Sequence, residues 1–289
     1  MPMKNTGHIP VLANEVLAGL HLQAGMRVLD GTVGLGGHAR LMLEATSPNG
    51  ELVAFDRDDR NLSVAKEFCA AFGDRAMFIH DSFGSLGAHD VGTFDGMLFD
   101  LGFSSVHVDD ADRGFSFMNN GPLDMRYDTR QELSAAIIVN TWVFEDLSTI
   151  FRRFGEDPRA RIIAKAIVDA RKEMKITETG QLAAIIASVV PRQGKTHPAT
   201  KAFQALRIVV NDELGEVDRG LTVALSKLNS KGRCAVLTFH SLEDRVVKTL
   251  FKNAVGFSLV TKRPIVATEE EMKINPRSRS AKLRIIQKI

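Results

Sequence analysis

The sequence predicts an α/β fold: a doubly wound parallel sheet interrupted by an all-helical insertion. Three observations predict it. Apolar strand-like runs alternate with helical spacing over the first hundred residues, the pattern of a parallel sheet with right-handed crossovers. A glycine-rich turn joins the first strand to a helix in Val28-Leu-Asp-Gly-Thr-Val-Gly-Leu-Gly-Gly-His38. The alternation then stops: helical patterns alone run from Leu133 to about Val210, and a strand returns at Arg233–Phe239.

Arg27–Asp30 reads as the first strand and His38–Thr46 as the helix it feeds. Glu51–Asp56 is the second strand, entered from the turn Ser-Pro-Asn-Gly. Leu62, Ala65, Phe68, Cys69 and Phe72 give Asp59–Phe72 a helical spacing. Arg75–Asp81 and Phe94–Asp100 are strands three and four. Residues from about 105 to 135 are rich in Asp, Gly, Asn, Pro and Arg and read as loop. Helices are predicted at Glu145–Phe154, Pro158–Lys172, Thr179–Val189, Ala199–Asn211 and Glu213–Leu228, the last ended by Asn-Ser-Lys-Gly. After the strand at Arg233–Phe239 come the helix Leu242–Asn253 and two extended segments, Phe257–Lys262 and Lys282–Gln287, that can pair. Glu269–Glu271 reads as a short acidic run. The divisions expected are residues 1–108 and 213–289 for the sheet domain and 109–212 for the insertion.

Composition bounds the setting. The 289 residues are 44% apolar and 25% charged with a net charge of +2, a globular balance whose overall field selects no partner. No segment has the length or apolarity of a membrane span, and the N-terminus lacks the apolar core of a signal peptide. Cys69 and Cys234 lie far apart inside apolar patterns and read as buried thiols. These features predict a protein of the reducing cytoplasm, with no metal site.

The glycine turn carries the chemistry. Its spacing, Asp-Gly-Thr-x-Gly-x-Gly-Gly, differs from the dinucleotide G-x-G-x-x-G. Asp30 at the strand end repels a pyrophosphate but suits a cation, such as the sulfonium and ammonium of S-adenosylmethionine. Gly34, Gly36 and Gly37 let backbone approach a ligand. In an open parallel sheet, ligands bind at the carboxyl ends of the strands, so Asp30, Asp56, Asp81 and Asp100 are all candidates. Asp56 lies 22 positions after Gly34, the spacing of a ribose-binding acid; the competing assignment for this acid cluster is capping of the next helix, with Asp58 or Asp59 in that role. Phe83 either stacks on an adenine or fills the core. His38 either touches the cofactor or is solvated.

Further segments carry a resemblance: Arg113-Gly-Phe-Ser-Phe-Met118, Gly121-Pro-Leu-Asp-Met-Arg126, His197 to Asn211, Phe239-His-Ser-Leu-Glu-Asp-Arg245 and Asn275 to Arg284. With His8-Ile-Pro-Val-Leu12, the glycine loop and Asp100-Leu-Gly-Phe-Ser-Ser105, they run in order along nearly the whole chain. Together they resemble the MraW (RsmH) family, bacterial 16S ribosomal RNA cytosine-N4 methyltransferases. The resemblance implies a class I S-adenosylmethionine-dependent methyltransferase (Rossmann-like) sheet with an inserted helical domain that recognises substrate. It implies a cytosine in the decoding centre, near the P site, as target and the small ribosomal subunit as partner, and it leaves a homodimer open. Its cofactor residues fall on Gly36, Gly37, His38, Asp56, Phe83 and Asp100. Many members have Gln seven residues after the strand-four acid where this chain has His107, which cannot copy both faces of an amide. The stretch between Phe257 and Asn275 is short for the family.

Cytosine N4 is a poor nucleophile, so transfer needs in-line alignment and an acceptor for an N4 hydrogen. Amino-methyltransferases in general use an Asp/Asn-Pro-Pro-Tyr/Phe loop after strand four; Asp100-Leu-Gly-Phe103 occupies that place without the prolines. Asp100 either accepts an N4 hydrogen or binds the amino-acid part of the cofactor, and Phe103 packs on the base. His240, after strand five, orients base or phosphate. Phe115 and Phe117, between Arg113 and Arg126, either stack on bases or pack on the insertion. Two basic stretches suit RNA phosphates: Arg152–Lys175 has eight Lys/Arg against four Asp/Glu, and Lys262–Lys288 has eight against three. A nicotinamide or flavin oxidoreductase predicts G-x-G-x-x-G, which is absent; a non-catalytic RNA-assembly factor, the other alternative, has no need of an intact glycine loop with Asp30, Asp56 and Asp100.

Overall fold

The computed structural model describes residues 9–102, 110–192, 194 and 196–289. The chain divides into two compact units, one of Met1–Phe103 with Leu214–Ile289 and one of Ser104–Glu213.

The first unit is built on one seven-stranded sheet. Its strands are β1 (Arg27–Asp30), β2 (Glu51–Asp56), β3 (Ala76–His80), β4 (Phe94–Asp100), β5 (Leu228–Thr238), β6 (Phe257–Leu259) and β7 (Lys282–Lys288). They lie in the order β3-β2-β1-β4-β5-β7-β6. The pairings from β3 across to β5 are parallel, and β7 runs antiparallel to both β5 and β6. Side chains alternate between two cores, as the period of two requires. Val28, Leu52, Ala54, Leu98, Ala235 and Leu237 enter one. Leu29, Val53, Phe55, Met97, Phe99, Cys234 and Val236 enter the other. A fully buried Leu or Phe in such a layer stabilises by about 1.5–3 kcal/mol. The helices of this unit are α1 (Ala13–Leu20), α2 (Gly37–Ala45), α3 (Asp59–Phe68), α9 (Glu213–Ser226), α10 (Ser241–Asn253) and α11 (Glu269–Ile274).

The second unit holds the helices between: α4 (Ala135–Thr141), α5 (Phe144–Arg153), α6 (Ala160–Glu173), α7 (Thr179–Val189) and α8 (Thr200–Val210). They share one core around Ile138, Leu147, Phe151, Ile163, Leu182, Ile186 and Leu206. The Gly121–Arg126 segment is tied to the start of α7: Gly121 donates to Thr179 Oγ1 at 3.2 Å and Leu123 to the Thr177 carbonyl at 2.8 Å.

Two local expectations are corrected. The helix expected over Asp59–Phe72 stops at Phe68, and a 3-10 turn follows over Ala70–Arg75 with Gly73 at φ 55°. Asn229 to Gly232 do not form the loop after α9; they belong to β5. Pairing survives there because the register shifts between Phe94 and Gly96, Lys231 takes φ 63°, and the Asn229 amide donates to Asp95 Oδ1 at 2.8 Å. The acidic run Glu269–Glu271 opens α11, capped by Thr268, whose Oγ1 accepts the Glu271 amide at 3.2 Å. Phe257–Leu259 and Lys282–Lys288 do pair, antiparallel. Cys69 and Cys234 are buried and free. Burial pushes the Cys69 thiol up to about 11, and the Cys234 thiol higher still. Among the described residues no helix is long and apolar enough to cross a membrane.

Candidate active site

The strand order reverses between β1 and β4, and a crevice at their carboxyl ends is where such sheets bind ligands. Asp30 ends β1 and Asp100 ends β4. Thr32, which sequence reasoning passed over inside Asp-Gly-Thr, links them. Its amide donates to Asp30 Oδ1 at 3.1 Å, and its Oγ1 accepts the Asp100 amide at 2.6 Å. The turn is held further by the Gly31 amide on the Leu98 carbonyl and the Val33 amide on the Phe55 carbonyl. Gly34 (φ 53°) and Gly36 (φ 87°) adopt left-handed backbone that L side chains resist. At Gly36 a Cβ would also lie 3.1 Å from Ala65 Cα, so α3 leaves it no room. Gly37 is the first residue of α2 and His38 the second.

Asp56 ends β2 and accepts two amides, Gly34 on Oδ2 and Asp58 on Oδ1, both at 2.8 Å. Asp58 is the residue that caps α3, accepting the Arg60 amide at 2.9 Å. The strand-end acid and the cap are thus separate residues. His38 is 7% exposed, with Nε2 3.8 Å from Asp100 Oδ2. The solvated reading of His38 is excluded. Phe83 lies in the core, 7% exposed and edge-on to Phe99 at a centroid distance of 5.3 Å. Asp81, the fourth strand-end acid, is half-buried and engaged with His89 Nε2 at 2.9 Å.

Asp30 is the electrostatic centre. It is 1% exposed, and its Oδ2 has no hydrogen-bond donor among the described residues. Burial, reinforced by the charges of Asp100 and Asp56, pushes its carboxyl up to about 7. Burial also pushes Asp100 up to about 7, with the charge of Glu243 adding and that of Arg277 opposing. A buried acid and a partly buried one whose charged forms desolvation disfavours call for a cation. An ammonium can donate to the open Asp30 oxygen, and the positive charge of ammonium and sulfonium favours both carboxylates. The residues present therefore fit S-adenosylmethionine.

His240 follows β5 and has a structural role as well. It caps α10 itself: its Nδ1 accepts the Glu243 amide at 3.3 Å, and Glu243 Oε2 accepts the amides of Phe239 and His240 at 2.8 and 3.2 Å. This reciprocal arrangement is a capping box. Asp244 pairs with Arg284 at 2.7 Å and Lys282 at 3.3 Å. Phe103 and His107 lie outside the described residues. Asn275 and Glu271 bring two distant motifs together: the Asn275 amide donates to the Ile9 carbonyl at 3.0 Å, and Glu271 Oε1 accepts the Leu12 amide at 2.8 Å.

In the second unit, Phe115 stacks on Tyr127 at 5.1 Å, and Phe117 packs on His197 and Phe203 at 4.6 and 4.8 Å. Both phenylalanines are half-buried against the helical core. Arg113 is 5% exposed and donates to the carbonyls of Arg126 and Tyr127. Lys201 donates to the Glu156 carbonyl.

Residues 5–289 match the family model described as the MraW methylase family. The chain belongs to the MraW methylase family. S-adenosylmethionine is its cofactor, and the fold is the class I Rossmann-like methyltransferase fold. Curated relatives agree along their length. Ribosomal RNA small subunit methyltransferase H of Trichormus variabilis is 49% identical over 284 residues, 97% of this chain and 92% of that one. The protein of the same name from Elusimicrobium minutum is 46% identical over 99% of this chain and 100% of its own. A crystal structure from Clostridium thermocellum shares the fold at a TM-score of 0.50 and 12% identity, covering 98% of this chain and 100% of that one.

Proposed function

We propose that this methylase transfers a methyl group to N4 of a cytosine in the decoding centre of 16S ribosomal RNA, in the cytoplasm. The near-full-length match to curated small-subunit rRNA methyltransferases carries the reading. Bound S-adenosylmethionine supplies an electrophilic methyl on a sulfonium. Asp30 and Asp100 would neutralise the cofactor's positive end, and the backbone of Gly34, Gly36 and Gly37 would hold it. Asp56 accepts from the ribose hydroxyls. His38 fixes Asp100, and Phe83 closes the adenine end from the turn after β3.

Asp100 has a second role: its carboxylate accepts a hydrogen of N4 as that nitrogen rehybridises, which raises nucleophilicity where charge develops. A group with its proton affinity raised towards neutrality is suited to that task. Phe103 packs on the extruded base, since a cytosine must leave its stack to reach such a pocket. His107 stands where relatives carry an amide, and His240 orients substrate through its place at the start of α10. The unit Ser104–Glu213 recognises RNA with its aromatic pairs and basic helices.

The test is methyl transfer from labelled cofactor to small subunits lacking the modification, followed by nucleoside analysis. N4-methylcytidine is the expected product. Cofactor binding without transfer to RNA would overturn the reading.

A further inference from the structure

The far edge of the sheet carries a feature the methyl-transfer site does not use. A cleft of about 90 Å³ lies between α10 and the β6–β7 edge; Phe251 and Leu259 form part of a largely apolar wall, and Lys248, Lys252, Thr261, Lys262 and Arg284 bring the polar groups. Lys248 and Lys252 are one turn apart on α10 and share a face. Lys262 follows β6, where Val260 and Thr261 donate to the Ile285 carbonyl at 3.0 and 3.3 Å. Lys282 and Arg284 beside them engage both oxygens of Asp244, and no acid lines the cleft among the described residues. Among the described residues none of Lys248, Lys252 and Lys262 has an acidic partner.

The floor of the cleft is directional as well as charged. Arg284 is 9% exposed and commits Nε and Nη2 to Asp244, which leaves Nη1 as a fixed donor. Thr261 Oγ1 accepts the Ile285 amide at 2.9 Å, so its own hydrogen remains to be given. Fixed donors beneath mobile ammonium groups suit a phosphate oxygen.

The geometry points to a phosphodiester-binding cleft at the β6–β7 edge that holds ribosomal RNA backbone away from the target base. This rests on the rRNA reading of the active site. The alternative occupant is an anionic membrane surface, since Leu259 and Val260 are 44% and 40% exposed nearby. A headgroup layer needs charge and apolar contact but no buried, oriented guanidinium, so RNA is favoured.

The experiment compares the wild-type chain with Lys248→Ala/Lys252→Ala/Lys262→Ala. Binding to small-subunit rRNA is measured across salt, methylation kinetics are run on the same RNA, and cofactor affinity is measured calorimetrically. Three lost phosphate contacts should reduce the slope of log K against log salt by about 2–3. KM for RNA should rise at least tenfold while kcat and cofactor affinity stay within twofold. Arg284→Lys, which keeps charge but loses the planar fork, should raise KM about threefold. An unchanged slope and KM in the triple variant, with the wild type methylating normally, overturns the cleft and spares the rRNA reading. A wild type that binds cofactor but neither binds nor methylates the RNA overturns both. Loss of binding to phosphatidylserine vesicles with RNA binding intact also overturns the cleft.

Discussion

The Asp56 carboxylate accepts the Gly34 amide at 2.8 Å across 22 positions of sequence. Its other oxygen takes the Asp58 amide. The acid expected to hold a ribose is thus also the clamp that shapes the glycine turn and starts α3. Asp56→Ala should weaken cofactor binding by about 1–3 kcal/mol through the lost acceptor, and should also lower the melting temperature of the ligand-free protein. Asp56→Asn retains one acceptor and should recover more of the stability than of the affinity. Calorimetry of both variants separates the two roles; full cofactor affinity in Asp56→Ala would refute the ribose assignment.

Asp30 makes a pH-dependent prediction. Its carboxyl is raised from 3.8 to about 7, so between those values the folded chain holds a proton that the unfolded chain has released. Ligand-free stability therefore falls as pH rises through that window. Asp30→Asn keeps an Oδ1 acceptor for Thr32 and removes the buried charge. It should melt higher than wild type at pH 8, with the gain shrinking as pH falls from 7 towards 4. Cofactor affinity moves the other way. The variant should bind more weakly at pH 8, while wild-type affinity declines below about pH 7 as Asp30 takes up its proton. Equal affinity of the two proteins at pH 8 would remove Asp30 from the cofactor site.

Asp100→Asn preserves an acceptor for the Gly102 amide, 3.2 Å away, and deletes the carboxylate that faces His38. Turnover should fall about 10²- to 10⁴-fold, the range for a lost proton acceptor. RNA affinity should stay within twofold of wild type, and Asp100→Ala should follow the same pattern. Single-turnover methylation beside RNA binding checks it. Normal turnover with lost RNA affinity would contradict the role.

The strand ends were legible because buried parallel strands read as apolar runs closed by an acid; β1, β2 and β4 match their expected limits. Elements marked by capping chemistry were harder. α1 lies between Leu12 and His21, both in left-handed conformation without glycine, so no sequence punctuation announces it. Thr268 with Glu271 is a Thr-x-x-Glu box that does announce α11. At the site, the acids and glycines were readable from spacing. Thr32 was not, because its role depends on β1 and β4 lying side by side. His240 stood out as a residue type that suggests chemistry, but its capping of α10 through Nδ1 depends on the backbone geometry of a helix start and was not readable.

Asn211, at the end of the His197 to Asn211 motif, is 1% exposed and fully occupied inside the second unit. Its Nδ2 donates to the carbonyls of Met125 and Arg207 at 2.8 and 3.0 Å, and its Oδ1 accepts the Tyr127 amide at 2.9 Å. It thereby holds Met125 at φ 66° and sets the backbone beneath the Tyr127–Phe115 stack. Asn211→Ala strands a buried amide and a buried carbonyl, each costing about 1–3 kcal/mol. Asn211→Asp should be at least as damaging near neutral pH, because a carboxylate then faces two carbonyl oxygens. Trp142, the single tryptophan of the chain, lies in the same unit and reports its unfolding by fluorescence. The urea midpoint should drop in both variants, and KM for RNA should rise. Cofactor affinity, which belongs to residues of the sheet unit, should remain unchanged; a cofactor defect of equal size would mean that Asn211 supports the whole chain and not the Gly121–Tyr127 segment.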